Sequence, residues 1–398
     1  VVERPRLLVL TSTYPRWAGD PEPGFVHELA RRLVERFDVC VVGPHAPGAK
    51  QFEQLDGVDV RRYRYAPARW ETLVNDGGML ANVSRSPWKW LLVPSFLLGQ
   101  YWALRRAMRE FAPHVVHVHW MLPQGLVAAA GVRSAPWLIT CHGADLFGLS
   151  GRWFASLRRW VTRRSAAVAL VSQAMSRRLL AEQPEVNALI MPMGVDTCER
   201  FVPNIAGRVD SELLFVGRLV EKKGLHHLLS ALPAVLASHP QVKLNIVGFG
   251  PERARLDALV VKLALQSHVR FLGALPQEAL PEHYRRASLF VAPFTQAANG
   301  DQEGLGLVVA EAMACECPVV VGDVPAAHDL VSAETGTLVC VDDHAALACT
   351  INRLLDDPDE RTRLGRAGRR HIEQNYSWQI VGKRYSDLLL DLASPGQP

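Results

Sequence analysis

Leu7-Leu8-Val9-Leu10 is a run of four apolar residues with the length and composition of a buried strand, and Val39-Cys40-Val41-Val42 repeats it further along the chain. Between them Phe25, Leu29, Leu33 and Phe37 recur at every fourth position, the spacing that lines one face of an α-helix. Strand, amphipathic helix and strand make a β-α-β unit, the building block of a parallel sheet covered by helices. Strands are expected again at 58–65, 115–119, 137–141, 166–171 and 188–191, with helices such as 152–162 between them. After Gly194 comes a polar, glycine-bearing stretch, 196–211, and a strand at 213–216 then restarts the alternation, followed by strands at 243–247, 269–272, 289–292 and 319–321. Two Rossmann-like α/β domains are expected, over 1–203 and 204–376, with a helix at 378–392 in the segment 377–398 crossing back to the first.

With 398 residues, 48% hydrophobic and 21% charged, the chain has apolar surface for more than one core and lacks the composition of a disordered or low-complexity protein. No apolar run reaches membrane-spanning length. Net charge is +4, but residues 1–200 carry 25 Lys/Arg against 17 Asp/Glu and the remainder 19 against 23. The +8 half lacks the dense basic stripe of a nucleic-acid binder, so no nucleic acid is expected as partner. It suits contact with anionic lipid or an anionic carrier, with ordinary surface solubility as the alternative. Within it, 85–111 gathers Trp88, Trp90, Leu91, Phe96 and Trp102 ahead of Arg105, Arg106 and Arg109, either as an amphipathic helix on a membrane surface or as an internal helix burying its aromatics. Seven cysteines without paired spacing, mostly inside apolar runs, read as reduced buried thiols. The start, Val1 to Arg6, shows no export-signal pattern, so a cytoplasmic protein is expected, at the inner face of the membrane if it meets lipid.

The sharpest chemical signal is Asp301-Gln302-Glu303-Gly304-Leu305-Gly306-Leu307-Val308-Val309-Ala310-Glu311, a glycine-punctuated loop opening into a helix. Glu303 precedes the helix and Glu311 lies two turns inside it, so both can face the C-terminal edge of the second sheet, where such sheets bind ligands. Amides from Gly304 to Leu307, at the positive helix end, would hold oxygens of a sugar or phosphate. The alternative is a capped helix with solvated glutamates. Gly217-Arg218-Leu219-Val220-Glu221-Lys222-Lys223-Gly224 follows the first strand of the second domain, and Arg218 and Lys223 can neutralise two phosphates, unless the loop is merely solvated. His142, in Cys141-His142-Gly143-Ala144-Asp145, should project into the cleft between the domains or pack as an ordinary histidine. Gly24, in Pro23-Gly24-Phe25-Val26, lets a backbone amide approach a phosphate at a helix start. Gly248-Phe249-Gly250 lacks the third glycine of a dinucleotide fingerprint, Arg253 standing in its place, so no NAD site is expected. His117 and His119, on one strand without a carboxylate partner, do not read as a metal site, and neither metal nor cofactor is expected.

Together Gly217-Arg218, Lys223-Gly224, Glu303 with Glu311, His142-Gly143 and Gly194-Val195-Asp196 resemble the retaining glycosyltransferases of family four over almost the whole chain. The resemblance implies GT-B architecture, two Rossmann-like domains facing each other across a cleft. It implies a nucleotide-sugar donor, UDP slightly favoured over GDP, bound mainly by the second domain, and a glycan or lipid-linked acceptor bound mainly by the first. By the same resemblance Arg218 and Lys223 would hold the diphosphate, Glu311 the ribose, Glu303 with Gly304, Leu305, Gly306 and Leu307 the donor sugar, His142 the reacting centre and Gly24 the β-phosphate. Tyr14-Pro15, Gly19-Asp20, Gly24-Phe25-Val26 and the run 299–304 are similar to transferases of bacterial capsule and exopolysaccharide assembly. Met193, Glu316 and Ala326-Ala327 depart from the family pattern, where Asn, Gly and glycines are usual. Retention implies front-face displacement assisted by Arg218 and Lys223 without a metal, or a double displacement with Glu303 as nucleophile. A non-catalytic sugar-nucleotide binder, an epimerase and a phosphorylase are the alternatives.

Overall fold

The computed structural model describes residues 4–17, 19–20, 24–75, 78–149, 151–204 and 207–394. Val1 to Glu3 of the chain start, Pro23 before Gly24, two residues of the stretch 196–211 and the last four of 377–398 lie outside the described residues. The chain forms two compact units, residues 1–193 with 381–398, and residues 194–380.

In the first unit β1 (Arg6–Leu10), β2 (Asp38–Pro44), β3 (Phe52–Leu55), β4 (Val58–Tyr63), β5 (Val115–His119), β6 (Trp137–Cys141), β7 (Ala167–Leu170) and β8 (Ala188–Ile190) form one sheet in the order β3-β4-β2-β1-β5-β6-β7-β8. Every neighbouring pair is parallel except β3 with β4. The central strands β1, β5 and β6 are almost wholly buried because helices cover both faces; β1 is an apolar run after Arg6, while β5 carries His117 and His119 and β6 Thr140 among apolar residues. β1 pairs with β2 on one side and β5 on the other, so strand order reverses between β1 and β5 and the loops after them open a crevice at the C-terminal edge.

The second unit repeats the plan. β9 (Val209–Val216), β10 (Lys243–Val247), β11 (Val269–Gly273), β12 (Ala287–Ala292), β13 (Val319–Gly322) and β14 (Thr337–Val339) are parallel in the order β11-β10-β9-β12-β13-β14. Order reverses here between β9 and β12. Leu213, Phe215, Leu228, Leu232, Leu244 and Ile246 are among the core residues between sheet and helices. The helix Trp378–Ala393 starts in the second unit and belongs to the first from residue 381 on. There the Tyr385 hydroxyl donates to the Met191 carbonyl (2.8 Å), and Arg36 pairs with Asp387 (2.7 Å).

Several details differ from the sequence expectation. The helix from Phe25 ends at Leu33, the chain turning there although Phe37 is still buried. The segment 85–111 is not one helix: Met79–Arg85 ends before Ser86-Pro87, a 3₁₀ turn Pro87–Leu91 follows, and Leu92–Glu110 continues. Proline lacks the N–H needed to extend the preceding helix and starts the next turn instead. Its aromatics divide between the two readings, Phe96 being buried and Trp88, Trp90 and Trp102 exposed. All seven cysteines are free, but Cys198, Cys340 and Cys349 are exposed rather than buried.

Candidate active site

At the switch point of the second sheet, the loop leaving β9 and the loop leaving β12 are stitched together. Lys222 Nζ donates to Asp301 Oδ1 and to the Gln302 carbonyl (both 3.1 Å), Thr295 N–H donates to the Lys222 carbonyl (3.0 Å), and Ala298 N–H donates to Glu221 Oε1 (3.1 Å). This stitching delivers Lys223 to Glu303. Nζ lies 2.6 Å from Oε2, with the two side chains 12% and 15% exposed, and 4.5 Å above the Phe294 ring. At that distance the ammonium and the carboxylate form a charge-assisted pair. Burial alone would raise the Glu303 carboxyl, but the Lys223 and Lys222 ammonium groups outweigh it and hold it down at about 2.

Gly306 has φ 87° and caps the start of helix Leu307–Ala314, which no side chain caps. A Cβ there would stand 2.8 Å from the Phe294 ring, so a side chain would displace the ring that supports Lys223. Val309 N–H donates to the Gly306 carbonyl (2.8 Å), while the Leu307 and Val308 amides ahead of it, with no carbonyl a turn before them, are left to a ligand or water beside Gly304 and the buried Leu305. Inside the helix Glu311 is buried: Oε1 accepts from Gln277 Nε2 (3.0 Å) and Oε2 from the Tyr284 hydroxyl (2.9 Å). Burial pushes its carboxyl up to about 7, against the pull of these donors. Arg218 is half-buried in the loop after β9. Cβ atoms at Gly248 and Gly250 would come within 1.9 Å of the Gly217 carbonyl and 2.3 Å of the Leu219 carbonyl, so these positions need glycine. They let the loop after β10 press on the Arg218 loop.

At the switch point of the first sheet, helix Phe25–Leu33 begins after Gly24, again without a side-chain cap. His142 follows β6, its ring 4.9 Å from that of Phe25 and 4.7 Å from that of Trp120. Trp120, just past β5, has φ 70°, a conformation costly for a bulky residue. His119 Nδ1 and His142 Nε2 are 3.0 Å apart with their rings stacked, and His117 lies against His119. Burial, reinforced by His117, pulls His142 down to about 3, so it is a neutral hydrogen-bonding ring at pH 7. Asp145, buried, accepts from the amides of Met121, His142 and Gly143 (2.9, 3.2 and 3.0 Å), tying the loops after β5 and β6 together.

Residues 25–199 match the family described as Glycosyltransferase Family 4, and residues 204–371 the glycosyl transferases group 1. The GDP-mannose-dependent alpha-(1-6)-phosphatidylinositol monomannoside mannosyltransferase of Mycolicibacterium smegmatis is 35% identical over 407 residues, covering 96% of this chain and 98% of its own. The protein of the same description from Mycobacterium tuberculosis is 30% identical over 408 residues, covering 96% and 98%. The chain belongs to glycosyltransferase family 4. Its GT-B fold is shared by sucrose-phosphate synthase from Thermosynechococcus elongatus, which superposes with a TM-score of 0.79 over 98% of this chain and 99% of that one, at 22% identity.

In this family 4 transferase the structure brings Lys223 directly onto Glu303, while Glu311 is held apart by Gln277 and Tyr284. Gly194-Val195-Asp196 serves a turn: Val195 bridges Ser377, and Asp196 Oδ1 accepts from the amides of Cys198 and Glu199. Glu316 has φ 56° just past helix Leu307–Ala314, the left-handed position where the family's glycine would be relaxed. Phe294, Gln277, Tyr284, His119 and Asp145 are site residues that the sequence left without a role. His119 could have been found from its spacing, because residues 117 and 119 of a strand share a face. Asp145 could have been found as the acidic residue of a short helix start; Tyr284 and Gln277 carry no such local signal.

Proposed function

We propose that the protein is a retaining α-mannosyltransferase, moving mannose from GDP-mannose to a lipid-linked acceptor of the phosphatidylinositol mannoside class. The observation that carries the reading is the Lys223 and Glu303 pair beside an uncapped helix start, at the switch point of the second sheet. The sequence alone leans to UDP. Two relatives matching both chains almost end to end are described as GDP-mannose-dependent, and this moves the donor to GDP-mannose and the acceptor to a mannosylated phosphoinositide. The second unit takes the donor and the first the acceptor.

As the bond between mannose C1 and the β-phosphate oxygen breaks, negative charge grows on the diphosphate, where Arg218 and Lys223 stabilise it without a divalent cation. The new bond from the acceptor oxygen to C1 forms on the same face, and the acceptor's proton passes to the departing phosphate. A Glu303 carboxyl held at about 2 is a weak base at neutral pH, which suits a carboxylate that holds sugar hydroxyls and faces the developing ring cation. His142, neutral, is a hydrogen-bonding partner for a sugar hydroxyl, and the Glu311 carboxylate takes the ribose hydroxyls. The test is a panel of GDP- and UDP-sugars assayed for slow donor hydrolysis and for transfer to a phosphatidylinositol monomannoside, with the product anomer read by NMR. Turnover of GDP-mannose to an α-linked product is expected; preference for a UDP-sugar, or a β-linked product, overturns the reading.

A further inference from the structure

The turn at 197–202, just inside the second unit, has its carbonyls taken up by arginines from elsewhere in that unit. Arg285 donates from Nε to the Val202 carbonyl (2.6 Å) and from Nη2 to the Arg200 carbonyl (3.1 Å). Arg369 donates to the carbonyls of Phe201 and Thr197 (both 3.3 Å). Three consecutive carbonyls, 200 to 202, are therefore held by two guanidinium groups, each of whose planar forks spans two acceptors. An ordinary exposed turn leaves such groups to water.

Both arginines stand on helices packed against Leu307–Ala314, Arg285 on Leu280–Arg286 and Arg369 on Pro358–Asn375. Arg369 also donates to the Ala314 carbonyl in the last turn of Leu307–Ala314, the end at which a helix favours a cation. Phe201, whose carbonyl is the middle one of the three, is buried. Tyr284 precedes Arg285 in sequence, is wholly buried, and its ring meets those of Phe201 and Phe290 in T-shaped contacts (6.0 and 5.5 Å). Its hydroxyl donates to Glu311 Oε2 (2.9 Å). Of two adjacent side chains, one thus holds the turn and the other the carboxylate. Burial lifts the Glu311 carboxyl, and the charge of Arg200, a residue of the same turn, opposes the rise.

We propose that Phe201, clamped by Arg285 and Arg369, is a positioning residue for the donor site: it packs Tyr284 in the orientation that keeps the Glu311 carboxylate aimed at the donor ribose. The inference rests on the reading of Glu311 as the ribose carboxylate. Tyr284 turns on two side-chain torsions, so its hydroxyl stays on Oε2 only while its ring is packed. With Oε1 on Gln277 and Oε2 on Tyr284, both carboxylate oxygens are fixed, and each keeps a lone pair for a ribose hydroxyl. Phe201, Arg285 and Arg369 act through Tyr284 rather than on the ligand.

The affinity of the full chain for GDP and for UDP is measured by titration calorimetry at about pH 8, where Glu311 is ionised. Arg285→Met keeps the stem and loses the fork; Phe201→Leu keeps apolar bulk and loses the ring. Each should weaken nucleotide binding about threefold to tenfold and leave kcat for donor hydrolysis within about twofold of the wild type. Tyr284→Phe should do the same, and on that background Arg285→Met should add less than about twofold, because both changes break one chain of contacts. Arg285→Lys keeps the charge without the fork and should recover only part of the loss. Unchanged affinity in both Arg285→Met and Phe201→Leu overturns the proposal. So does full recovery in Arg285→Lys, which would make the effect one of charge, or additive losses in Arg285→Met and Tyr284→Phe, which would make the clamp a general anchor of the fold. Ribose is common to both nucleotides, so the outcome is readable whichever base the site prefers. Glu311→Gln separates the two failures: unchanged nucleotide affinity in that variant sinks the ribose reading and the inference with it, whereas weakened affinity there beside additive losses in the other two sinks the inference alone.

Discussion

The C-terminal edges of the two sheets share a plan and differ in charge. Each has a switch-point loop ending in a glycine, Gly24 or Gly306, ahead of a helix whose start no side chain caps. Around Gly306 the second unit sets Lys222 and Lys223 against Glu303 and keeps that carboxyl ionised. Near Gly24 the first unit packs the buried His117 and His119 and the half-buried His142 against one another and against aromatic rings, and loss of water around them favours the neutral form. One edge carries paired ionised groups, the other neutral imidazoles and ring faces. Within the Rossmann plan the difference comes from a few loop residues, while the strands that position them are alike.

The comparison breaks first at Lys223 and Arg218. If the second edge exists to meet the charge of a leaving diphosphate, Lys223→Ala or Arg218→Ala lowers kcat by roughly a hundredfold or more. EDTA leaves wild-type activity intact. Steady-state kinetics with GDP-mannose check both, and full activity in either variant, or abolition by EDTA, removes the charge argument. Glu303→Gln comes next. It keeps the shape of the side chain and removes its charge, so kcat should fall by about tenfold or more with little change in donor KM.

The first edge should respond more weakly. His142→Ala removes a neutral hydrogen-bonding group, an effect of about tenfold in kcat/KM. Because burial keeps the ring near 3, the wild-type profile of kcat from about pH 5 to about pH 8 carries no inflection from His142. An inflection near the ordinary histidine value that disappears in His142→Asn would show the ring to be charged in the working enzyme, and the contrast between the edges would collapse.

Most of the strand plan was legible because buried parallel strands are continuous apolar runs, as at Leu7–Leu10 and Val319–Val321. Two strands escaped. Thr337–Val339 is too short to stand out, and Phe52–Leu55 alternates weakly at a sheet edge. The turn joining β3 to β4 was nevertheless written in Asp56-Gly57, whose φ values of 47° and 81° are those of a tight hairpin. The charged site residues were legible because loop position and spacing carry them. What holds them was not: Phe294 meets Lys223 across 71 residues of sequence, and Tyr284 reaches Glu311 from another helix, contacts that only the folded sheet creates.

The smallest effect separates the two glutamates of the second edge. Glu311 lies in the helix with both oxygens already accepting, from Gln277 and Tyr284, and burial lifts its carboxyl to about 7. A ribose diol donates its hydrogen bonds, so it favours the ionised form over the protonated one. The sign follows: as pH falls through about 7 the ionised fraction drops, donor binding weakens and donor KM rises, whereas above that value KM is flat. Contacts to ribose are nearly the same in ground and transition states, so kcat should scarcely follow. Glu311→Gln imitates the protonated form. Its donor KM should be raised a few-fold at about pH 8, should match the wild type at about pH 6, and should no longer depend on pH between them. Glu303, held at about 2, contributes no pH dependence in this window, so Glu303→Gln should retain the wild-type slope of KM. Initial rates over donor concentration at several pH values decide the matter. A slope that survives in Glu311→Gln and vanishes in Glu303→Gln, or a larger loss of kcat in Glu311→Gln than in Glu303→Gln with both proteins equally folded, would exchange the roles of the two carboxylates.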